Sequence, residues 1–172
     1  LFPLVMGLLQ AYATKDKTVA ENYQFQPFLF HTDRPGTILA AYDSPDVAAF
    51  SVCMWNEQLN LHVAKEVKRL WPDCLIVFGG PQVPHHPVDY FAEHPFIDVA
   101  VRGEGEEAFT GVRKRHLVSD NFEDMAGISW RDPITFDCHV NSENRPFNRD
   151  LDSYYSPYLD DLYEGIIAAN PD

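Results

Sequence analysis

Cysteine is scarce in this sequence, and its spacing rules out several kinds of site. The 172 residues include three cysteines, far apart along the chain at Cys53, Cys74 and Cys138. An odd number at such spacing fits neither a disulfide framework nor a zinc site, and it favours a reduced, cytoplasmic location. No C-x-x-x-C-x-x-C motif is present, so the chain cannot hold an iron–sulfur cluster of that kind.

Basic residues and long apolar runs are also scarce. Lysine and arginine total 13 against 26 aspartates and glutamates, which gives a net charge of −13 and an isoelectric point of about 4.7. A surface this acidic repels phosphate backbones, so nucleic acid is excluded as a partner. No apolar run approaches the roughly 18 residues that a membrane span needs, so no membrane partner is expected.

The chain does have the composition of a folded domain. Hydrophobic residues make up 45% and charged residues 23%, as is ordinary for a globular protein. The apolar opening LFPLVMGLLQAYA lacks the basic residues and the cleavage site of a signal peptide, and it predicts a buried helix that starts at Pro3. Because the first residue is Leu1, we expect the chain to begin inside a longer protein.

Three short apolar runs predict the strands of a parallel sheet. They are residues 47–52 (VAAFSV), 75–78 (LIVF) and 97–101 (IDVAV). Runs that are apolar on both faces are typical of parallel strands covered by helices. Residues 26–30 favour a further strand earlier in the chain.

An amphipathic helix is predicted between the first two of these strands. Its apolar residues recur every three or four positions, at Leu59, Val63, Val67 and Leu70. Asn56 is the expected N-cap, and Pro72 ends the helix. Further helices are predicted at about 87–94 and 106–117. This alternation predicts the α/β class, with a doubly wound parallel sheet of the flavodoxin-like or Rossmann-like type.

The sequence divides into three predicted parts. These are an α/β domain, an edge hairpin extension and a linker, at residues 1–118, 119–142 and 143–172. The hairpin is predicted from segments 127–131 and 134–140, which Asp132 and Pro133 separate. The linker is polar and interrupted by prolines, with a short helical segment at 159–169. A linker here favours a second domain beyond it.

Loops that follow the predicted strands carry the candidate binding residues. In doubly wound sheets, ligands bind beyond the carboxyl ends of the strands, at the switch in strand order. Glycine in such loops lets a ligand approach backbone N–H groups closely. One glycine-rich loop is weak evidence, but three on successive strands favour a ligand site. The candidates are Ser51, Trp55, Asn56, Gly79, Gly80, Pro81, Gly103, Glu104 and Gly105.

The order of these residues resembles that of cobalamin-binding domains, which carry D-x-H-x-x-G, then S-x-L, then G-G. Ser51 begins the segment that corresponds to S-x-L, and the 25 residues 54–78 separate that segment from Gly79-Gly80. Gly7 falls at the glycine of the first motif. Phe2 then replaces the aspartate of that motif, and Leu4 replaces the histidine that ligates cobalt.

Loss of that histidine is common in cobalamin-binding domains that are fused to radical S-adenosylmethionine (SAM) enzymes. Four further segments of this sequence resemble the recurrent signature of those domains. These are FSVCMWN (50–56), VFGGP (77–81), DVAVRGEGE (98–106) and SPYL (156–159). The resemblance implies that cobalamin is bound base-off, without a protein ligand. It also implies a parent methyltransferase acting on unactivated carbon, with methylcobalamin as methyl donor. SAM and the [4Fe–4S] cluster would be held by a radical SAM domain absent from this chain.

The resemblance implies a role for each candidate. Ser51 and the pair Gly79-Gly80 would line the cleft for the displaced dimethylbenzimidazole tail, and loop 103–105 would meet the nucleotide loop or the corrin amides. Trp55, with Leu4 nearby, would pack beneath the corrin; an ordinary core or interface tryptophan is the alternative. No residue of this chain is implied to be catalytic or to ligate a metal.

Two other functions remain open from the sequence. One is a flavodoxin-like FMN or regulatory module, although the segment FPLVMG has no hydroxyl group to bind phosphate. The other is a stand-alone α/β transferase acting on a nucleotide-linked substrate, which needs a catalytic base that the sequence does not identify. A visible spectrum with hydroxocobalamin, or with FMN, separates the three.

Overall fold

The fold is built on one mixed five-stranded sheet with helices on both faces. The computed structural model describes residues 3–141 and 148–169. The strands are β1 (Val47–Ser51), β2 (Leu75–Gly79), β3 (Val99–Val101), β4 (Ile128–Arg131) and β5 (Cys138–Val140). They lie in the order β1-β2-β3-β4-β5, with β1 to β3 parallel and β4 and β5 antiparallel to their neighbours.

Seven α-helices are found in the described residues. They are α1 (Leu4–Thr14), α2 (Lys17–Asn22), α3 (Pro35–Ala40), α4 (Glu57–Leu70), α5 (Val88–Glu93), α6 (Glu106–His116) and α7 (Glu164–Ala169). None of them has the length and apolar character that a bilayer crossing requires. The α/β class predicted from the sequence is therefore confirmed.

Two apolar layers hold the sheet, one on each face. On one face, β1 and β2 pack against α4 and α5 through a cluster that includes Phe50, Val67, Phe78 and Phe91. On the other face, β2, β3 and β4 pack against α6 through a second cluster that includes Val77, Val112 and Ile128. Every residue of β3 is buried, because helices cover both of its faces.

The amphipathic pattern predicted α4 correctly, but one detail of its start is different. The helix begins at Glu57 and ends at Leu70, just before Pro72. Asn56 occupies the N-cap position, yet its side chain makes no capping hydrogen bond. The Asn56 amide instead bonds the backbone of the preceding loop, which removes it from the helix N–H groups.

Three other expectations from the sequence differ from the structure. Residues 26–30 are not a strand. The strand order of the described residues runs without reversal, so no switch point lies between these strands. In segment 159–169, only α7 is helical, and turns precede it.

The C-terminal parts pack onto the domain. The predicted hairpin forms β4 and β5, and it continues the main sheet because β4 pairs with β3. Segment 148–169 returns to α1: Tyr163 is buried, its hydroxyl donates to the Pro3 carbonyl at 3.2 Å, and Lys15 pairs with Asp160 at 2.9 Å. The described part of the predicted linker thus covers α1.

Candidate ligand site at the carboxyl ends of the parallel strands

The three candidate loops meet at one edge of the sheet. Because β1, β2 and β3 are parallel, their carboxyl ends lie together, with Ser51 beside Gly79 and Gly79 beside Val101. We call the loops after these strands loop 1 (52–56), loop 2 (80–86) and loop 3 (102–105). The sequence-predicted residues Ser51, Gly79 and Gly80 are therefore neighbours.

Backbone hydrogen bonds join loop 1 to the end of β2 and to loop 2. The Val52 amide donates to the Gly79 carbonyl at 2.7 Å, and the Gln82 amide donates to the Val52 carbonyl at 3.3 Å. Gly80 has a φ of +109°, and a Cβ placed there would lie 2.6 Å from the Val52 oxygen. Glycine is needed at this position because the two loops touch through their backbones.

Two asparagines shape loop 1, and only one of them was expected at the site. Asn56 accepts from the Cys53 amide at 2.7 Å and donates to the Ser51 carbonyl at 3.0 Å. Asn60 donates to the same carbonyl at 3.1 Å. The Asn56 side chain is therefore a support for the loop. Asn60 was missed because it lies inside the amphipathic helix, where an asparagine looks like an ordinary polar residue.

Loop 1 places large apolar side chains in solvent. Trp55 is 81% exposed and Met54 is 78% exposed. Trp55 is therefore not a core tryptophan, whereas the alternative of an interface tryptophan is compatible with this exposure. The sequence did not predict Met54 as a site residue, although its position next to Trp55 in the same strand-end loop could have indicated it. An exposed apolar pair next to a glycine-lined backbone surface is typical of a contact face for an apolar ligand or a partner domain.

Loop 3 is held by the hairpin and by the C-terminal segment. The Arg102 guanidinium donates to the Ser129 hydroxyl and, at 2.7 Å, to the Asn141 carbonyl. Glu104 accepts from the Asn148 amide and from the Tyr154 hydroxyl, both at 2.9 Å. Burial and the bond to Glu104 raise the pKa of Tyr154 to about 12, so its hydroxyl remains a donor. One carboxylate oxygen of Glu104 is thus occupied by the protein itself.

Two candidate residues of the first motif, Leu4 and Gly7, lie on α1 but have different surroundings. Leu4 is 48% exposed in the first turn, whereas Phe2 lies outside the described residues. Gly7 is buried, and a Cβ there would lie 2.0 Å from the Tyr163 hydroxyl oxygen. Packing against Tyr163 accounts for glycine at this position. A role for Gly7 in ligand binding stays a prediction.

The chemistry of this edge suits a large, neutral, partly apolar ligand. Gly80 and Gly103 have positive φ angles and exposed backbone, while Trp55 and Met54 supply apolar area. Among residues 3–141 and 148–169, no group of three or more histidine, cysteine or acidic side chains could hold a metal ion. Corrin is an apolar macrocycle with a rim of carboxamides, and both kinds of surface present here fit it.

The sequence is similar to a known family of domains and to longer enzymes. The family model described as the B12 binding domain matches residues 21–113. The chain is 38% identical over 167 residues to the 2-(S-pantetheinyl)-carbapenam-3-carboxylate methyltransferase of Streptantibioticus cattleyicolor. It is 36% identical over 168 residues to the cobalamin-dependent radical SAM methyltransferase TokK of Streptomyces tokunonensis. Each match covers 96% of this chain and 24% of the relative, so the chain spans about a quarter of those enzymes.

Comparison with solved structures gives the same fold. The radical SAM methyltransferase TsrM from Kitasatospora setae, solved with cobalamin and a [4Fe–4S] cluster, matches 86% of this chain and 27% of its own. Its TM-score is 0.62 at 18% identity. The cobalamin-dependent SAM radical enzyme OxsB matches 94% of this chain and 22% of its own, with a TM-score of 0.59 at 18% identity. This chain belongs to the B12-binding domain family, and its cofactor is cobalamin.

Proposed function

We propose that this domain binds cobalamin base-off at the carboxyl edge of the sheet, with cobalt free of any protein ligand. The observation that carries the proposal is the exposure of Trp55 and Met54 on loop 1, beside the backbone surface of Gly79 and Gly80. Apolar side chains of this size gain free energy when a ligand removes them from water. A corrin face is large enough to cover both.

The lower face of the cobalt would then meet apolar side chains. Leu4, which replaces the expected histidine, has no lone pair, and it is exposed at the start of α1. Trp55 is the side chain that we assign to packing beneath the corrin. Bound cobalamin would supply a cobalt centre able to carry a methyl group, and the protein would orient that centre and exclude water from one face.

The tail of the cofactor would lie between loops 1 and 2. Ser51 is half-buried at the end of β1, and its carbonyl is already taken by Asn56 and Asn60. Its hydroxyl is therefore the group that we assign to the base nitrogen of the tail. Loop 3, through Gly103, Glu104 and Gly105, would donate backbone N–H groups to carboxamide oxygens.

We further propose that the whole protein is a cobalamin-dependent radical SAM methyltransferase. Support comes from the two curated methyltransferases, which match nearly the full length of this chain. The cluster and SAM would be bound outside these residues, because Cys53, Cys74 and Cys138 do not form a cluster motif. The isolated chain should therefore bind cobalamin and form no 5′-deoxyadenosine under reducing conditions.

The binding face is tested by replacing one exposed aromatic residue in loop 1 and, as a control, one at the opposite end of the strands. Trp55→Ala should weaken hydroxocobalamin binding about 10-fold or more, as loss of a large aromatic contact does. Phe136→Ala is the control, since Phe136 is 68% exposed in the β4–β5 turn at the opposite edge. Equilibrium dialysis measures both affinities. Equal affinities for the two variants would refute the assignment of loop 1, and tighter binding of FMN than of cobalamin would refute the ligand.

The absence of a protein ligand is tested by electron paramagnetic resonance of the Co(II) form. The wild type should show no nitrogen hyperfine splitting. Phe2→Asp combined with Leu4→His should introduce it, because imidazole is a good nitrogen ligand and a carboxylate orients it. Splitting in the wild type would mean that another histidine, such as His85 or His86 of loop 2, or the retained base occupies the site.

A further inference from the structure

Loop 3 is supported at its two ends and at Glu104 between them. At its start, the bonds of the Arg102 guanidinium hold the loop to the hairpin. Gly103 follows with a φ of +75°, and a Cβ placed on it would meet no atom within 4 Å. At the end of the loop, a Cβ on Gly105 would lie 3.0 Å from Leu9 Cδ2 of α1. The hydrogen bonds of the Glu104 carboxylate therefore decide how the middle of the loop is held.

The two hydrogen bonds found on Glu104 among the described residues come from a single segment. The Asn148 amide and the Tyr154 hydroxyl both donate to Glu104 Oε2 at 2.9 Å. Both donors belong to residues 148–163, which we call the strap. Hydrogen bonds to a carboxylate are stronger than those between neutral groups. The strap is therefore well placed to fix the orientation of Glu104.

Hydrogen bonds within the strap hold these two donors together. The Asn148 side-chain amide donates to the Ser153 hydroxyl at 2.7 Å, and its oxygen accepts from the Asp150 amide at 2.9 Å. The Ser153 hydroxyl in turn donates to the Asp150 carbonyl at 2.7 Å. The turn formed in this way brings Asn148 and Tyr154, six positions apart in the sequence, to one carboxylate oxygen.

The strap also rests on α1. The Tyr12 ring contacts two tyrosines of the strap, with centroids 6.0 Å from Tyr154 and 6.3 Å from Tyr155. Lys15 lies over the Tyr155 ring at 5.1 Å and pairs with Asp160 at 2.9 Å. The strap thus connects loop 3 to the helix that carries the candidate residues of the first motif.

We propose that Tyr154 is a positioning residue for the cofactor site. Its hydroxyl, acting through Glu104, holds loop 3 in the conformation that presents backbone N–H groups to the carboxamides of cobalamin. The inference rests on the proposed function, in which loop 3 contacts the cofactor. Coupling between two binding events is reciprocal, so bound cobalamin should strengthen the attachment of the strap as much as the strap strengthens cobalamin binding.

The test compares Tyr154→Phe with Tyr155→Phe. Each variant removes one hydroxyl group from the strap, and of the two tyrosines it is Tyr154 whose hydroxyl bonds Glu104. Tyr154→Phe should weaken hydroxocobalamin binding about 5- to 20-fold in equilibrium dialysis, whereas Tyr155→Phe should bind like the wild type. In a Glu104→Ala background, Tyr154→Phe should cause no further loss, because a residue that acts through Glu104 has no effect once the carboxylate is gone.

Hydrogen exchange separates positioning from a general effect on the fold. The Asn148 amide, which donates to Glu104, reports on the attachment of the strap. Without cofactor, its exchange should be about 10-fold faster in Tyr154→Phe than in the wild type, while the amides of β2 keep their protection. Hydroxocobalamin should slow the exchange of this amide in the wild type, and less so in Tyr154→Phe.

The possible outcomes distinguish this inference from the proposed function. If the wild type binds hydroxocobalamin and the two tyrosine variants bind it equally, the positioning role is overturned and the proposed function stands. If the wild type does not bind hydroxocobalamin, the proposed function is refuted and the positioning role with it. A further loss of affinity in the Glu104→Ala background, or faster exchange throughout β2, would mean that Tyr154 acts on the fold as a whole, which also overturns the proposal.

Discussion

Replacing Gly7 by alanine tests how the C-terminal segment is attached. Gly7 lies inside α1, where helix propensity alone predicts that alanine stabilises the helix by about 1 kcal/mol. The structure predicts the opposite sign. The added Cβ would lie 2.0 Å from the Tyr163 hydroxyl oxygen and 2.8 Å from the Pro157 Cβ, so both residues must move.

The magnitude follows from what is displaced. An ordinary contact begins at 3.4 Å, so the Tyr163 hydroxyl must retreat by about 1.4 Å. Overpacking of this kind costs about 1–3 kcal/mol. Loss of the hydrogen bond from Tyr163 to the Pro3 carbonyl adds about 1 kcal/mol. After the propensity gain, alanine should destabilise the chain by about 1–3 kcal/mol.

Thermal unfolding followed by circular dichroism measures this effect. For a domain of this size, the Tm should fall by about 2–12 °C. Gly165→Ala in α7 is the matched control, because a Cβ there has no atom within 4 Å and should be neutral or slightly stabilising. Tyr163→Phe should recover part of the loss in the Gly7→Ala background. If Gly7→Ala were as stable as Gly165→Ala, the packing of Tyr163 on α1 would be refuted.

Two further predictions concern single positions. Gly80→Ala should destabilise the chain by about 1–3 kcal/mol in urea unfolding, because Gly80 has a positive φ and lies close to the Val52 backbone. Gly79→Ala is the control and should be tolerated, since the nearest atom to its new Cβ is 3.8 Å away. Equal losses of stability in the two variants would contradict this prediction. The hydrogen bond between His116 Nδ1 and Asp120 Oδ1, at 2.5 Å, raises the pKa of the histidine above 6.5. The pair should therefore stabilise the fold fully below pH 6.5, and this stabilisation should be lost as the pH rises through the raised pKa. Asp120→Asn should therefore lower the Tm more at pH 6 than at pH 9, and an equal drop at both would contradict the assignment.

Much of the sheet could be predicted from local pattern. The runs at 47–52 and 75–78 are apolar on both faces and have neighbours to pair with, so they formed β1 and β2 as expected. Residues 26–30 also contain bulky apolar side chains, but they include Pro27 and have no strand beside them in the described chain. Strand formation depends on partners that a single segment does not reveal.

The candidate site was predictable in position but less so in the roles of its residues. The strand-end rule brought together Ser51, Gly79 and Gly80, because parallel strands end at one edge. The rule gave no signal for Tyr163, which packs against Gly7 although the two residues are 156 positions apart in the sequence. The sequence therefore could not show that the space beside Gly7 is filled by the Tyr163 side chain.

The two amides on the Ser51 carbonyl also act as a stop at the end of the edge strand. Asn56 and Asn60 both donate to the outward-facing oxygen where a neighbouring strand would otherwise continue its ladder. A strand paired along β1 would therefore find the Ser51 carbonyl already bonded. These bonds also hold loop 1 against the end of β1, next to the surface to which we assign the cofactor. Asn56→Leu with Asn60→Leu should therefore loosen loop 1, and faster hydrogen exchange of the Cys53 amide, which loses its acceptor, would show it.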